Sequence, residues 1–252
     1  LTPGRKGEAA TRLDRGDGVE LAYSYLPGRA PTMVFLPGFM SDMTGDKALA
    51  LHAWCAGAGH ACLRLDYSGH GESGGRFEDG TIGRWTEDAL FLIDAVTDGK
   101  ILLVGSSMGG WIALHVALAR PHRVAGLIGI AAAPDFTEDL MWASMAPPER
   151  AVLERDGVLR VPSEYGGAQI ITRLLIEDGR TRLLLRAPIA IDCQVHLLHG
   201  QRDRSVPWET SLRLAACLAS DDVRVTLIKD GEHRLSRQED IALLIQIAER
   251  RK

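Results

Sequence analysis

The chain has little of several things, and each shortage excludes a class of function. No apolar run in its 252 residues approaches the roughly 20 that cross a bilayer, so stable membrane insertion is not expected. The opening stretch, LTPGRKGEAATRLDRGDG, lacks the apolar core of a secretory leader. Cysteine is scarce: Cys55, Cys62, Cys193 and Cys217 are widely spaced with no C-x-x-C pair, which favours reduced thiols over disulfides or zinc. Neither a metal nor a cofactor is called for. Positive charge is not in excess either: the formal net charge is −4, which gives no electrostatic footprint for nucleic acid. Lysine is rare, with 5 against 24 arginines. That accent suits a GC-rich bacterial genome and hence a cytoplasmic protein.

What is present is ordinary for a globular enzyme-sized domain, with 46% hydrophobic and 25% charged residues. Short apolar runs recur at 32–36, 61–65, 101–104, 124–130, 195–199 and 223–228. Near-continuous apolar character suits strands covered on both faces. Segments with helical spacing lie between them, so the pattern predicts an α/β fold: a mostly parallel sheet with helices on both faces. TRLD and VELAYSY, joined by RGDG, read as an antiparallel hairpin at one sheet edge. Residues 135–189 interrupt the alternation with Pro147–Pro148, Pro162, Gly166–Gly167, Gly179 and Pro188. We read them as a lid insertion of two or three short helices within a single domain spanning 1–252.

GSSMG at 105–109 fits G-x-S-x-G with Ser107 central; Ser106 cannot be, because Val104 would take the first glycine position. The chain must leave a strand and enter a helix in one sharp turn, and bulk two residues to either side would obstruct it. The apolar strand before and the helical run GWIALHVALA after supply the context. A serine needs a base, and the base an orienting acid. Of the downstream histidines, His115, His122, His196 and His199 fall in helix, helix-end or strand positions and read as structural. His233, in KDGEHRLS, follows the last strand at the carboxyl edge of the sheet, where ligands bind in such folds. Asp203 lies just beyond the strand 195–199 at the same edge, whereas Asp192, Asp221 and Asp222 precede strands. Asp230 is at the right edge but only three residues from His233. The candidate set is therefore Ser107, Asp203 and His233, with the backbone N–H groups of Phe39 and Met108 as oxyanion donors.

Other patterns read as structural. YSGHGESGG lacks the lysine of a phosphate loop. Glu87, Asp88 and Asp94 read as one solvated helix face. In the insertion, Met141, Trp142 and Met145 are candidates for lining an apolar acyl site, although ordinary packing explains such a stripe as well.

With these residues placed, the sequence resembles the α/β-hydrolase fold family of serine esterases. Closer in, it is similar to the branch of mitochondrial palmitoyl-protein thioesterases and acyl-glucuronide esterases. The stretches that carry the likeness are LPGFMSDMTGDKALAL, GHACLRLDYSGHGES, LVGSSMGGWIALHVALARP, LLHGQRDRSVPW and EHR. The resemblance implies the same nucleophile, acid, base and oxyanion donors. As partners it implies small-molecule esters or thioesters, extending to S-acylated proteins. The insertion resembles the family least, so the substrate transfers poorly. A slow-turnover ligand-binding module stays open, as do peracid formation and carbon–carbon hydrolysis by the same residues.

Overall fold

The computed structural model describes residues 10–162 and 168–250. Eight strands form one sheet: β1 (Thr11–Asp14), β2 (Glu20–Leu26), β3 (Arg29–Leu36), β4 (His60–Leu65), β5 (Ile101–Ser106), β6 (Val124–Ile130), β9 (Gln194–Gly200) and β10 (Val223–Ile228). Their spatial order is β1-β2-β4-β3-β5-β6-β9-β10. The run from β4 to β10 is parallel, while β2 pairs antiparallel with both β1 and β4. The expected edge hairpin is thus β1–β2, and the six expected apolar runs are the six parallel strands.

Alternation along β5 shows why those runs are apolar throughout. Ile101 and Leu103 enter one buried cluster, with Trp85 and Leu92 of α2 (Ile82–Val96) and Trp111 of α3 (Met108–Ala119). Leu102 and Val104 enter another, with Leu51 and Cys55 of α1 (Asp46–Ala58) and Leu244 of α7 (Gln238–Glu249). Successive side chains point to opposite faces, so a sheet covered twice needs an apolar residue at every step. Local chemistry sets the helix ends. The Thr81 hydroxyl accepts from the Arg84 N–H at 3.0 Å to cap α2, and Gly59, at φ 72°, ends α1 in a left-handed turn.

The segment between β6 and β9 carries short helices, as expected, and also a hairpin that was not. After a π-helical turn over Thr137–Trp142 come α4 (Pro147–Asp156), β7 (Val158–Pro162), β8 (Ala168–Thr172) and α5 (Arg173–Arg180). Leu159 and Ile171 stand opposite each other across β7–β8 and bury into a small core with Met145, Leu153 and Ile176. Proline and glycine punctuation drew the reading toward helices, while the β-branched Val158, Val161, Ile170 and Ile171 decide for strand. Gly166–Gly167 lie outside the described residues. The last helix before β10 is α6 (Glu209–Cys217).

The acidic face expected on α2 does not exist as one face. Asp88 is fully buried, accepts from the Ser68 N–H at 2.8 Å and hydroxyl at 2.6 Å, and pairs with the Arg15 guanidinium. Burial pushes its carboxyl above the usual range despite those donors. Glu87 is exposed, and Asp94 pairs at the surface with Arg120 and Arg123. Helical spacing could not reveal Asp88's partners, because Arg15 comes 73 residues earlier. Asp88→Ala is expected to cost about 3 kcal/mol or more in urea denaturation, since it removes the fully buried acceptor shared by Ser68 and the part-buried Arg15. Glu87→Ala should stay within about 1 kcal/mol.

Candidate active site

Ser107 occupies the single residue between β5 and α3, at φ 54° and ψ −119°. A non-glycine residue holds such a conformation only when its surroundings over-determine it, and here they do. Its N–H donates to the Ile130 carbonyl at 2.9 Å, and its own carbonyl accepts from Gly110 at 2.9 Å and Ala133 at 3.1 Å. The glycines leave no room for alternatives. A Cβ on Gly105 would lie 2.3 Å from the Gly109 carbonyl oxygen, and one on Gly109 would lie 2.0 Å from that of Leu36. The close approach of α3 to β5 and β3 thus dictates both residues.

The loops after β9 and β10 bring Asp203 and His233 to the serine. His233 Nε2 is 3.1 Å from Ser107 Oγ, and His233 Nδ1 is 2.7 Å from Asp203 Oδ2. Asp203 Oδ1 accepts the backbone N–H groups of Ser205 and Val206, each at 2.8 Å. Burial alone would raise this carboxyl, but donation from His199 and His233 outweighs it and holds Asp203 well below the ordinary range. An ionised Asp203 accepts the Nδ1 proton, which leaves the lone pair of His233 Nε2 facing the serine hydroxyl. Such an arrangement can remove a proton from Ser107 and keep the resulting imidazolium paired.

The two backbone N–H groups expected as oxyanion donors are those of Met108 and Phe39. Met108 opens α3, so its N–H is one of those a helix leaves without an internal acceptor. The loop after β3 lies against the elbow, since a Cβ on Gly38 would be 3.4 Å from Ser107 Cβ. In that loop the Ser41 N–H bonds the Gly38 carbonyl and the Met40 N–H donates to His70 Nε2, and neither bond uses the Phe39 N–H. The Phe39 ring is held edge-on by Phe77, Trp85 and Phe136 at 5.2–6.0 Å.

His70 was passed over with the glycine-rich YSGHGESGG. It is buried, its Nδ1–H donates to the Ser68 carbonyl at 3.3 Å, and burial pulls it down to about 4. It therefore stays neutral at physiological pH and can accept the Met40 N–H. His199, read as structural in its strand, bonds Asp203 as well as Ser211. Both residues contact the loops that the sequence motifs mark, but through tertiary neighbours that no local pattern displays.

The three residues suggested for the insertion part company. Met145 packs into the insertion's own small core, so the stripe is partly ordinary packing. Met141 packs between that core and the main one. Trp142 borders a groove of about 580 Å³ with Pro134, Leu140, Leu185, Pro207 and Arg213. The guanidiniums of Arg150 and Arg180 lie over its ring, 4.8 and 4.6 Å from the centroid. Both ends of the insertion meet at Asp135, which is fully buried at φ 62° and accepts from the Leu184 and Leu185 N–H groups at 2.7 and 2.9 Å. Among the described residues no cluster of histidine, cysteine or carboxylate side chains could hold a metal ion, and no helix is long and apolar enough to cross a membrane.

Comparison with known proteins gives consistent matches. The family model described as alpha/beta hydrolase fold matches residues 31–157. The mitochondrial palmitoyl-protein thioesterase ABHD10 of Homo sapiens is 42% identical over 243 residues, covering 96% of this chain and 79% of that protein. A crystal structure from Agrobacterium vitis S4 superimposes with a TM-score of 0.91 at 42% identity, covering 96% of this chain and 97% of the other. The alpha/beta hydrolase domain-containing protein 10 from mouse gives 0.89 at 40% identity, with the same two coverages.

The depressed His70 makes a signed stability prediction. An unfolded histidine takes up its proton near pH 6.5, whereas the folded chain refuses it until about 4. Stability from this group is therefore complete above pH 6.5 and is lost as pH falls through that window. Asp66, pushed up to about 6 by burial, works in the opposite sense, so the readout is a difference. The unfolding free energy of wild type relative to His70→Gln should fall by about 2 kcal/mol between pH 7 and pH 5 in urea titrations.

Proposed function

We propose, from the premise that this chain belongs to the alpha/beta hydrolase fold family, that it is a serine hydrolase cleaving carboxylic esters or thioesters through an acyl-enzyme. The observation that carries the reading is the hydrogen-bonded series Ser107–His233–Asp203, with Nε2 3.1 Å from the hydroxyl and Nδ1 2.7 Å from the carboxylate.

In the proposed cycle His233 Nε2 takes the Ser107 proton as Oγ attacks the acyl carbonyl. The N–H groups of Phe39 and Met108 receive the developing oxyanion; one such donor typically contributes about 100- to 1000-fold in rate. His233 then protonates the departing alcohol or thiol, and next activates water to release the acid. Asp203, ionised throughout, keeps the Nδ1–H directed at itself and stabilises the imidazolium. The base works only in its neutral form, so kcat/KM should fall on the acid side.

The insertion serves as a lid in this reading, with Trp142 among its substrate-facing residues. Relatives named as palmitoyl-protein thioesterases favour fatty acyl thioesters on protein cysteines as substrates, and acyl glucuronides are the other ester class implied by the resemblance. In a bacterial cell the enzyme would act in the cytoplasm.

The deciding experiment is hydrolysis of matched p-nitrophenyl esters and acyl thioesters from about two to sixteen carbons, with Ser107→Ala alongside. Loss of about a million-fold in the variant is expected, and a long-chain thioester optimum would match the thioesterase reading. Equal turnover by wild type and variant would overturn the serine mechanism. Retention of intact ester by an inert wild type would instead favour a binding module.

A further inference from the structure

Asp203 Oδ2 accepts from two histidines, and only one of them belongs to the proton path. His199 sits on β9, wholly buried, four residues before Asp203. Its Nε2 lies 3.1 Å from Asp203 Oδ2 and 3.1 Å from the Val206 carbonyl oxygen. A carbonyl has no proton to give, and neither does a carboxylate held below its ordinary range, so the hydrogen is on Nε2. Across the ring, Nδ1 is 2.7 Å from the hydroxyl of Ser211 on α6, which is also fully buried. Among the described residues that hydroxyl has no other acceptor. It donates to Nδ1, and His199 is therefore neutral with a fixed tautomer.

We propose that His199, locked by Ser211, is a positioning residue for Asp203 that holds the acid in register with His233. The inference rests on the reading of Ser107, His233 and Asp203 as the reacting set. Backbone N–H groups of Ser205 and Val206 fix only Oδ1. Without His199, Oδ2 is held solely by His233, the group it has to orient, and the two can swing together. A donor on rigid β9 removes that freedom. The choice of a neutral donor matters too. The groups facing His199 are the Asp203 carboxylate, the Val206 carbonyl and the Ser211 hydroxyl. A cation there would compete with the His233 imidazolium for the carboxylate's charge, whereas a neutral N–H aligns the carboxylate and takes little of it.

The test uses the intact chain with His199→Leu, His199→Gln and Ser211→Ala, measured by steady-state ester kinetics from pH 5 to 9. His199→Leu should lower kcat by about 10- to 100-fold, the scale of a misaligned catalytic group, with KM within about twofold because His199 does not touch substrate. The acid limb should move to higher pH, since the carboxylate then spends its whole charge on His233. His199→Gln returns an N–H to Asp203 and should recover most of kcat. Ser211→Ala removes the hydroxyl that anchors Nδ1 and lets the ring shift against Asp203; it should lower kcat several-fold with the same limb shift, so it decides the matter if His199→Leu fails to fold. A second readout needs no turnover: the low-field proton resonance of the His233 Nδ1–H bonded to Asp203 should be sharp in wild type and shifted or broadened in Ser211→Ala. Folded variants with wild-type kcat, limb and resonance would overturn the proposal. An inert wild type would overturn the hydrolase reading instead, while the resonance still reports whether His199 orders the acid.

Discussion

A serine backbone at φ 54° between a strand and a helix is the constraint around which the rest of the site is arranged. It is held by hydrogen bonds to β6 and to the loop beyond it, which exist only because β5 and β6 run parallel and in register to Ser106↔Ile130. The same parallel order delivers the ends of β3, β9 and β10 to one edge, so the loops bearing Phe39, Asp203 and His233 reach the serine without long excursions. Strain at one residue is thereby offset by the cooperativity of the whole sheet.

Behind the oxyanion loop lies a second layer of buried polar groups. Asp66 accepts the N–H groups of Met43 at 2.7 Å and Glu72 at 2.9 Å, and the Arg64 guanidinium holds the Met43 carbonyl. His70 and the Trp85 indole both donate to the Ser68 carbonyl, while Ser68 itself is fixed by Asp88. The chain from Arg15 through Asp88, Ser68 and His70 to Met40 links the β1–β2 edge to the candidate oxyanion loop. A buried network of this kind stabilises only when each member is satisfied, which makes the loop's conformation a property of several distant segments. Lys47 of α1 does similar service for the histidine loop through the Arg234 carbonyl, and burial pulls its ammonium down to about 8.

The parallel sheet was legible because a twice-covered strand must be apolar at every position, and Ile101–Val104 is. Ser107 was legible because its turn forbids side chains at 105 and 109, a steric demand written in two glycines. Asp203 and His233 could be placed by asking which loops leave carboxyl ends of strands. What stayed hidden depends on distance. Asp88 looked solvent-facing until Arg15 and Ser68 were brought to it, and His199 looked like strand interior until α6 supplied Ser211. The hairpin of β7 and β8 was obscured because proline and glycine punctuation masked its β-branched residues, and the small core beneath Leu159 and Ile171 has no local signature.

Asp135 joins the first and last turns of the insertion through one carboxylate, so some fifty residues enter and leave the sheet edge at nearly the same place. Mechanically this makes the insertion a cassette. Its contents can lengthen, shorten or exchange helix for hairpin without altering the register of β6 against β9. Selection for a new substrate can then act on the cassette while the elbow and its supporting glycines remain unchanged. That separation is how a sheet edge this constrained coexists with an insertion built over its own small core.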